Sequence, residues 1–570
     1  MNVARSPLAS TVVALLGASG MLVAQDAVPG QVVFKVRAAA IDTLPARLDA
    51  LGLPPRADAP LAPRRADRIG VGRIRRLRVT PGTERQAAEQ LAAAPFVEWA
   101  EPLRRDGGAT GSIQPNDPAF STQWSFDSRY TGIDMDMPEA WDLRGTFKVD
   151  SDLVVAITDT GWDFNLVHSD VDNVLWTNAG EIPGNGLDDD GNGFVDDVFG
   201  YDFADDDGDP QSGYEHGTWV GSIVVAHTDN GDGIAGVADG ARALTAKMLD
   251  DTGGFPTGGR FAGHLSGAAG IIYSVDQGAQ VINCSWGVGT QPAMVINDAI
   301  DYAVANGVHV VVAAGNSGIS QAWPGEHEDV IAVTGITASG NRSQWCSFIG
   351  CQSATFGPWV DLSGGANSVP TIGSGIRYPW ISVPFNGTSA AAPQVAGVAA
   401  HILSEDRDLS VWDLRTLLMD SAVSVDQFNP GFEGLMGAGH VNARAALEQL
   451  EPVTDLGGGL SGNSTPVLNA WGGTTAGSRL TFSAHNAPAT APGALVLGAS
   501  AAQLPVLGGV LIPSPDLVAP LATDTDGAAR VRLTLPATLP SGAGLWLQFA
   551  ALDGGAAQGV ALSNAVLVRG

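Results

Sequence analysis

Leu153-Val154-Val155-Ala156-Ile157-Thr158-Asp159-Thr160-Gly161 carries the clearest fold signal in the chain. Its apolar run, rich in β-branched residues, predicts a strand buried on both faces, and such strands belong to parallel sheets covered by helices. Runs of the same kind recur at Gln280 to Asn283 and Val308 to Ala314. They alternate with helix candidates at Ala262 to Gln277, Asn297 to Asn306 and Ala391 to Leu403. The alternation predicts an α/β domain with a parallel sheet across residues 112–451. The first run ends on a carboxylate, Asp159, at the carboxyl edge where open α/β sheets gather their functional groups.

Two further segments carry chemistry. His216-Gly217-Thr218-Trp219-Val220-Gly221 places an imidazole at the start of an apolar helix, and Asn386-Gly387-Thr388-Ser389-Ala390-Ala391-Ala392-Pro393 places a hydroxyl where a glycine turn enters another helix. A serine hydroxyl is a weak nucleophile that needs an adjacent base, and histidine supplies one near neutral pH. The histidine in turn needs a carboxylate to fix its tautomer. Asp159, His216 and Ser389 are therefore the candidate catalytic residues.

Composition narrows the class. At 570 residues the chain exceeds one ordinary core, and 45% hydrophobic against 16% charged residues excludes a disordered chain. Residues 1–110 hold 15 Lys and Arg against 10 Asp and Glu, whereas the remainder holds 15 against 50. A basic segment thus precedes a strongly acidic body, for which nucleic acid is an unsuitable partner. Residues 1–24, with Arg5 ahead of a short apolar stretch, have the pattern of an export signal, and no later run has membrane length. A secreted, soluble and monomeric product is the expectation. Cys346 and Cys351 are close enough to pair in an oxidising compartment, and Cys284, inside an apolar run, reads as a buried inert thiol.

Residues 28–103 read as a small α+β unit, with strands at Gln31 to Val36, Arg73 to Thr80 and Phe96 to Trp99 and a helix over Thr83 to Ala94. Residues 452–466 read as a Gly/Ser-rich linker. Residues 467–570 show short alternating runs between Gly and Pro, the pattern of an all-β sandwich in which no catalytic pattern is found. Asp188, Asp190 and Asn192, followed by Gly193, make a D-x-D-x-N-G pattern of alternate oxygen donors that suits Ca²⁺, with Asp197 as a further ligand. The chain has no Glu at the twelfth position of that loop, where Phe199 falls.

Asp159-Thr160-Gly161, His216-Gly217-Thr218 and Gly387-Thr388-Ser389-Ala390-Ala391-Ala392-Pro393 resemble the three active-site motifs of subtilisin-like serine proteases, in that family's order. The resemblance implies a three-layer catalytic domain and a serine endopeptidase acting on proteins or peptides through an acyl-enzyme. Ala313-Ala314-Gly315-Asn316-Ser317-Gly318 resembles the family segment whose asparagine donates to the oxyanion, which implies that role for Asn316. Val281 to Gly287 resembles the substrate-binding strand. Ser285, Trp286 and Gly287 with Ala313, Ala314 and Gly315 would then wall an uncharged pocket. His168-Ser169-Asp170 and Thr228 to Ile234 resemble the halves of a family calcium site, with Asp170 and Asn230 as side-chain ligands.

The starts and ends of residues 28–103 resemble a subtilisin propeptide, which implies a zymogen whose own propeptide is a partner. Two residues depart from the pattern: Trp219 stands where the family has a second histidine, and Ala390 where it has a bulkier side chain. The competing reading is an inactive extracellular peptide-binding or adhesive protein.

Overall fold

The computed structural model describes residues 27–36, 44–51, 74–78, 84–104, 113–128, 133–347, 350–373, 385–450, 453–474, 478–506, 509–535, 543–556 and 558–569. The export-signal pattern of residues 1–24 lies outside them. Residues 112–449 form one compact unit. Its centre is a seven-stranded sheet built from β4 (Val154–Asp159), β5 (Gly200–Asp202), β6 (Arg242–Lys247), β7 (Val281–Cys284), β8 (His309–Ala313), β9 (Ile331–Ile336) and β12 (Leu362–Gly365). The order is β12-β9-β8-β7-β4-β6-β5 and every pair is parallel. β10 (Gln344–Ser347) and β11 (Gly350–Ser353) form a separate hairpin, and β1 to β3 belong to the N-terminal unit.

Both faces of this sheet are apolar, as the opening strand predicted. Val154 and Ala156 of β4 join Leu244, Ile282 and Val310 in a core that includes Ile271 of α5 (His264–Asp276) and Ile300 of α6 (Met294–Ala305). The opposite side is spanned by α7 (Thr388–Glu405), which packs across β4, β7, β8, β9 and β12 and against α4 (His216–Val225). α7 is buried from Thr388 to Leu403, and its alanines and Gly397 allow that close approach. The sequence alternates around β4: β5 and β6 lie to one side, and β7, β8, β9 and β12 to the other. A crevice therefore opens beyond the carboxyl ends of β4 and β7.

His309, at the start of β8, is buried, and its Nδ1 has no hydrogen-bond partner among the described residues. Burial pushes its pKa down to about 4. The unfolded chain, with an ordinary imidazole near 6.5, binds that proton more readily. The stabilising contribution is therefore complete above about pH 6.5 and is lost as pH falls towards 4. Denaturant titrations at pH 7 and pH 4.5, in a Ser389→Ala background that prevents self-digestion, should show His309→Leu losing about 2–3 kcal/mol less than the parent. An equal acid loss in both proteins would show that His309 does not titrate this way.

The N-terminal strands β1 (Ala27–Val36), β2 (Ile74–Arg78) and β3 (Val97–Arg104) form an antiparallel sheet ordered β2-β1-β3. With α1 (Leu44–Asp49) and α2 (Glu84–Ala93) they enclose Phe34, Leu48, Leu91 and Phe96. Beyond Val453 the chain is all β. A five-stranded and a three-stranded antiparallel sheet share a core of Leu480, Phe482, Leu547, Phe549 and Val566. The remaining helix of the helical series after α3 (Met137–Arg144) and α8 (Val411–Ser421) is α9 (Ala443–Leu450), which ends the central unit.

Candidate active site

Asp159 ends β4, Ser285 follows β7 and Ala313 ends β8, so three adjacent strands deliver their last residues to one crevice. Asp159 is fully buried. Its Oδ1 accepts from Thr160 N at 2.7 Å and lies 2.7 Å from His216 Nδ1, while Oδ2 is buried without a partner among the described residues. An ionised carboxylate only accepts, so Nδ1 carries the proton and the Nε2 lone pair is free. Burial acts to lower the His216 pKa, but the charge of Asp159 and its hydrogen bond together outweigh it and hold the imidazole above its ordinary value.

Thr160 couples the carboxylate turn to the histidine helix. Its Oγ1 donates to Tyr214 O at 2.5 Å and accepts from Gly217 N at 2.9 Å. Gly217 makes this contact possible, because a Cβ there would lie 2.3 Å from Gly161 O. Around the imidazole, Phe385 is edge-on at 5.3 Å and Tyr214 is stacked at 6.2 Å. Trp219 packs 5.5 Å from Phe385 and its Nε1 donates to Glu215 Oε2 at 3.2 Å. The residue that departs from the family pattern is thus part of an aromatic wall beside His216.

Ser389 occupies the first turn of α7. Pro393 lies four residues on and has no N–H, which leaves the Ser389 carbonyl free of its usual helical donor. Ser285 Oγ donates to that carbonyl at 3.1 Å, and Ser389 Oγ donates to Ser285 O at 3.1 Å. The pair of bonds fixes the start of α7 against the edge that follows β7. Gly387 precedes it at φ 126°, a conformation closed to other residues. A Cβ there would also lie 3.3 Å from Asn316 Nδ2.

Asn316 is oriented by Thr388. Its Oδ1 accepts from Thr388 N and Thr388 Oγ1, both at 3.0 Å, and Gly315 N donates to the same hydroxyl at 3.0 Å. With Oδ1 so engaged, the Nδ2 donors remain available. A cavity of about 350 Å³ opens beside Ser389. Ser285, Trp286, Gly287, Ala313, Ala314 and Gly315 all line it, and among the described residues no lining side chain is ionisable. Trp323 and Ile319 also line it; neither belongs to a motif singled out in the sequence. Cys284 is buried beneath, and burial pushes its thiol up to about 12.

The acidic loops fold in two groups. Glu181, Asp188 and Asp190 bring one oxygen each within 4.8 Å of one another. Glu181 Oε1 accepts from Asp189 N and Asp190 N, whereas Glu181 Oε2 is buried without a partner among the described residues. Three converging carboxylates with a spare buried oxygen suit a hard cation with flexible geometry. Asp197 adjoins that group: Asn178 Nδ2 and Asn192 Nδ2 each donate to both Asp190 and Asp197, and Tyr273 Oη donates to Asp197 as well. Asn192 Oδ1 accepts from Phe194 N.

Elsewhere, Asp170 accepts from Asn230 Nδ2 at 2.8 Å and Ile234 N at 2.6 Å, and burial pushes its pKa up to about 6. Asp117 accepts from Asp229 N and Asn230 N, so it shares the loop with Asp170. Neither Glu181 nor Asp117 belongs to a local pattern that would single it out. The acidic run after Phe199 has a different fate, since Asp202 is paired with Lys247 at 2.7 Å and both are buried.

Residues 150–439 match the model of the Subtilase family. The chain is 35% identical over 331 residues to a thermophilic serine proteinase of Bacillus sp. (strain AK1), a match covering 57% of this chain and 68% of that one. It is 32% identical over 336 residues to thermitase of Thermoactinomyces vulgaris, covering 59% and 99% respectively. An extracellular protease of Xanthomonas campestris pv. campestris is 32% identical over 420 residues, 66% of each chain.

Proposed function

Because this chain belongs to the subtilase family, we propose that Asp159, His216 and Ser389 are the catalytic triad of a secreted endopeptidase made as a propeptide-inhibited zymogen. It is a serine-type endopeptidase, and protein substrates follow from the family. The observation that carries the site assignment is the 2.7 Å pair between buried Asp159 and His216, set in the crevice that also receives Ser389.

In this mechanism the substrate backbone pairs with the Ser285–Gly287 edge, as peptides add to exposed strands. The residue before the scissile bond enters the uncharged cavity, which favours an apolar side chain. A χ1 rotation takes the Ser389 hydroxyl from Ser285 O towards His216 Nε2. Oγ then attacks the carbonyl carbon as Nε2 takes its proton, and Asp159 stabilises the imidazolium. Asn316 Nδ2 donates to the developing oxyanion. His216 returns the proton to the leaving amine, and water resolves the acyl-enzyme by the same route. Labelling with a fluorophosphonate followed by peptide mapping tests the assignment. A modified Ser389 and blocked casein hydrolysis are expected; active protein unlabelled at Ser389 would overturn it.

Residues 28–103 act as the propeptide, their basic charge complementing the acidic body. The mature chain begins between Arg104 and Asn116, so N-terminal sequencing of active protein starting near residue 25 would refute the zymogen. Among the described residues no helix is long and apolar enough to cross a membrane. The export signal of residues 1–24 and the name of the Xanthomonas relative support secretion.

Structural Ca²⁺ is part of the proposal, held by Asp188, Asp190, Asn192 and Asp197 with Glu181, and by Asp170 and Asn230 beside Asp117. A site at a hundredfold its Kd stabilises by about 2.7 kcal/mol. Chelation should therefore lower the Tm of the Ser389→Ala protein by about 5 °C, restored by added Ca²⁺. Superimposable melting curves would remove the ion from the account.

A further inference from the structure

We propose that the disulfide-closed hairpin β10–β11 is a positioning brace for the Asn316 loop, so that Cys346 and Cys351, which do not line the cavity, set part of kcat. The proposal rests on Asn316 being the oxyanion donor.

Asn316 is held on two sides. Thr388 fixes its side chain, as described above. Its backbone is fixed by the segment that leaves β11. Ser353 N donates to Asn316 O at 3.3 Å and Thr355 N donates to Gly315 O at 2.9 Å. Ser317 Oγ and Thr355 Oγ1 are 3.3 Å apart, and Ser317 and Ser353 pair as a parallel bridge. The two segments are in close contact, since a Cβ on Gly318 would lie 2.3 Å from Ser353 Oγ.

Ser353 is also the last rung of the hairpin. The rungs are Gln344↔Ser353, Trp345↔Gln352, Cys346↔Cys351 and Ser347↔Gly350, and this two-stranded sheet has no third strand among the described residues. An isolated two-stranded ribbon is marginal in water. Cys346 and Cys351 are directly opposite, exposed, and bonded, so the cross-link keeps the ribbon paired up to Ser353. Without it the ribbon loosens from its loop end towards Ser353, whose far side is tied by Ala354 N donating to Ser343 O; the hold on Asn316 O weakens, and the Nδ2 donors lose part of their preorganisation. The oxyanion exists only in the transition state, so the cost falls on kcat and leaves KM nearly unchanged.

The remaining cysteine does not confuse the test. Cys284 is buried with a raised thiol pKa, so a dithiol reagent acts on the exposed pair. A dithiothreitol thiolate attacks one sulfur of the disulfide, and its second thiol closes the reagent ring. Two electrons pass from the reagent, which is oxidised, and two cysteine thiols are released.

The mature enzyme is assayed on a peptide anilide in four forms: parent, Cys346→Ser/Cys351→Ser, Asn316→Ala, and the triple variant. Loss of the cysteines should lower kcat about 3–30-fold, a fraction of the ~10²–10³ that a subtilisin loses with this donor, and KM should change less than about twofold. In the Asn316→Ala background the same change should cost less than about twofold, because the donor it positions is already absent. Parent enzyme reduced until two thiols are labelled should show the same fall, reversed on reoxidation, and this arm decides the matter if the double variant does not fold. Unchanged kcat in the reduced, doubly labelled parent overturns the brace. So does an equal loss in the Asn316→Ala background, which would mark general damage. If Asn316→Ala alone leaves kcat intact, the donor assignment fails first and the brace with it.

Discussion

Ser389→Ala is expected to lower kcat by about 10⁶, the scale known for loss of the nucleophile in subtilisin, while the protein stays folded. The hydroxyl makes one hydrogen bond, to Ser285 O at 3.1 Å, and the reciprocal bond from Ser285 Oγ reaches the Ser389 carbonyl, which alanine keeps. The start of α7 therefore retains its anchor. Peptide affinity should be nearly unchanged, since the 285–287 edge and the cavity do not depend on the hydroxyl. Single-turnover assays with equilibrium peptide binding separate the two effects. Hydrolysis by the variant within about tenfold of the parent would mean that another group carries out the attack. Weakened binding with a collapsed melting curve would point instead to a structural role for the hydroxyl.

Asp159→Asn should cost about 10⁴ in kcat, by analogy with the same change in a serine protease triad. One carboxylate oxygen, Oδ1, meets both Thr160 N and His216 Nδ1, and Oδ2 is buried without a partner among the described residues. An amide has no arrangement that serves this pocket. With its oxygen kept on Thr160 and His216, the Nδ2 protons are buried without acceptors; turned over, Nδ2 opposes two donors and favours the wrong imidazole tautomer. Either way the negative charge is gone. Asp159 is what holds the His216 pKa above its ordinary value against burial, so burial then prevails and the pKa falls. The base must be neutral to act, so the acid limb of the kcat/KM profile should move to lower pH in the variant. A limb that stays in place, or moves up, would show that Asp159 does not set the titration of His216.

Much of the central fold was legible because its signals are local. The apolar run at Leu153 to Ile157 must be buried wherever it lies, and the structure makes it the middle of a sheet covered on both faces. The run Ala391 to Leu403 predicts a helix, and α7 covers it and crosses five strands. Element ends shifted by a few residues: α6 begins at Met294 rather than Asn297, and α7 at Thr388 rather than Ala391. Those positions are set by which backbone groups find partners. Asn316 Oδ1, for one, takes the N–H of Thr388 at the head of α7.

Local sequence sets which chemical groups this protein has and the order in which the chain presents them: a carboxylate after a buried strand, an imidazole at one helix start and a hydroxyl at another. Those are properties of neighbours along the backbone. Which distant groups meet is set by packing in three dimensions. Asp159 and His216 are 57 positions apart, Ser285 and Ser389 are 104 apart, and Asn316 and Thr388 are 72 apart. Packing also brings Glu181 to Asp188 and Asp190, Asp117 to the loop of Asn230, and Ser353 to the backbone of Asn316. The reason is physical. Leaving a buried polar atom unpaired costs free energy, so most are paired, and the partner is supplied by whatever the packed strands and helices carry to it, a choice that no local pattern records.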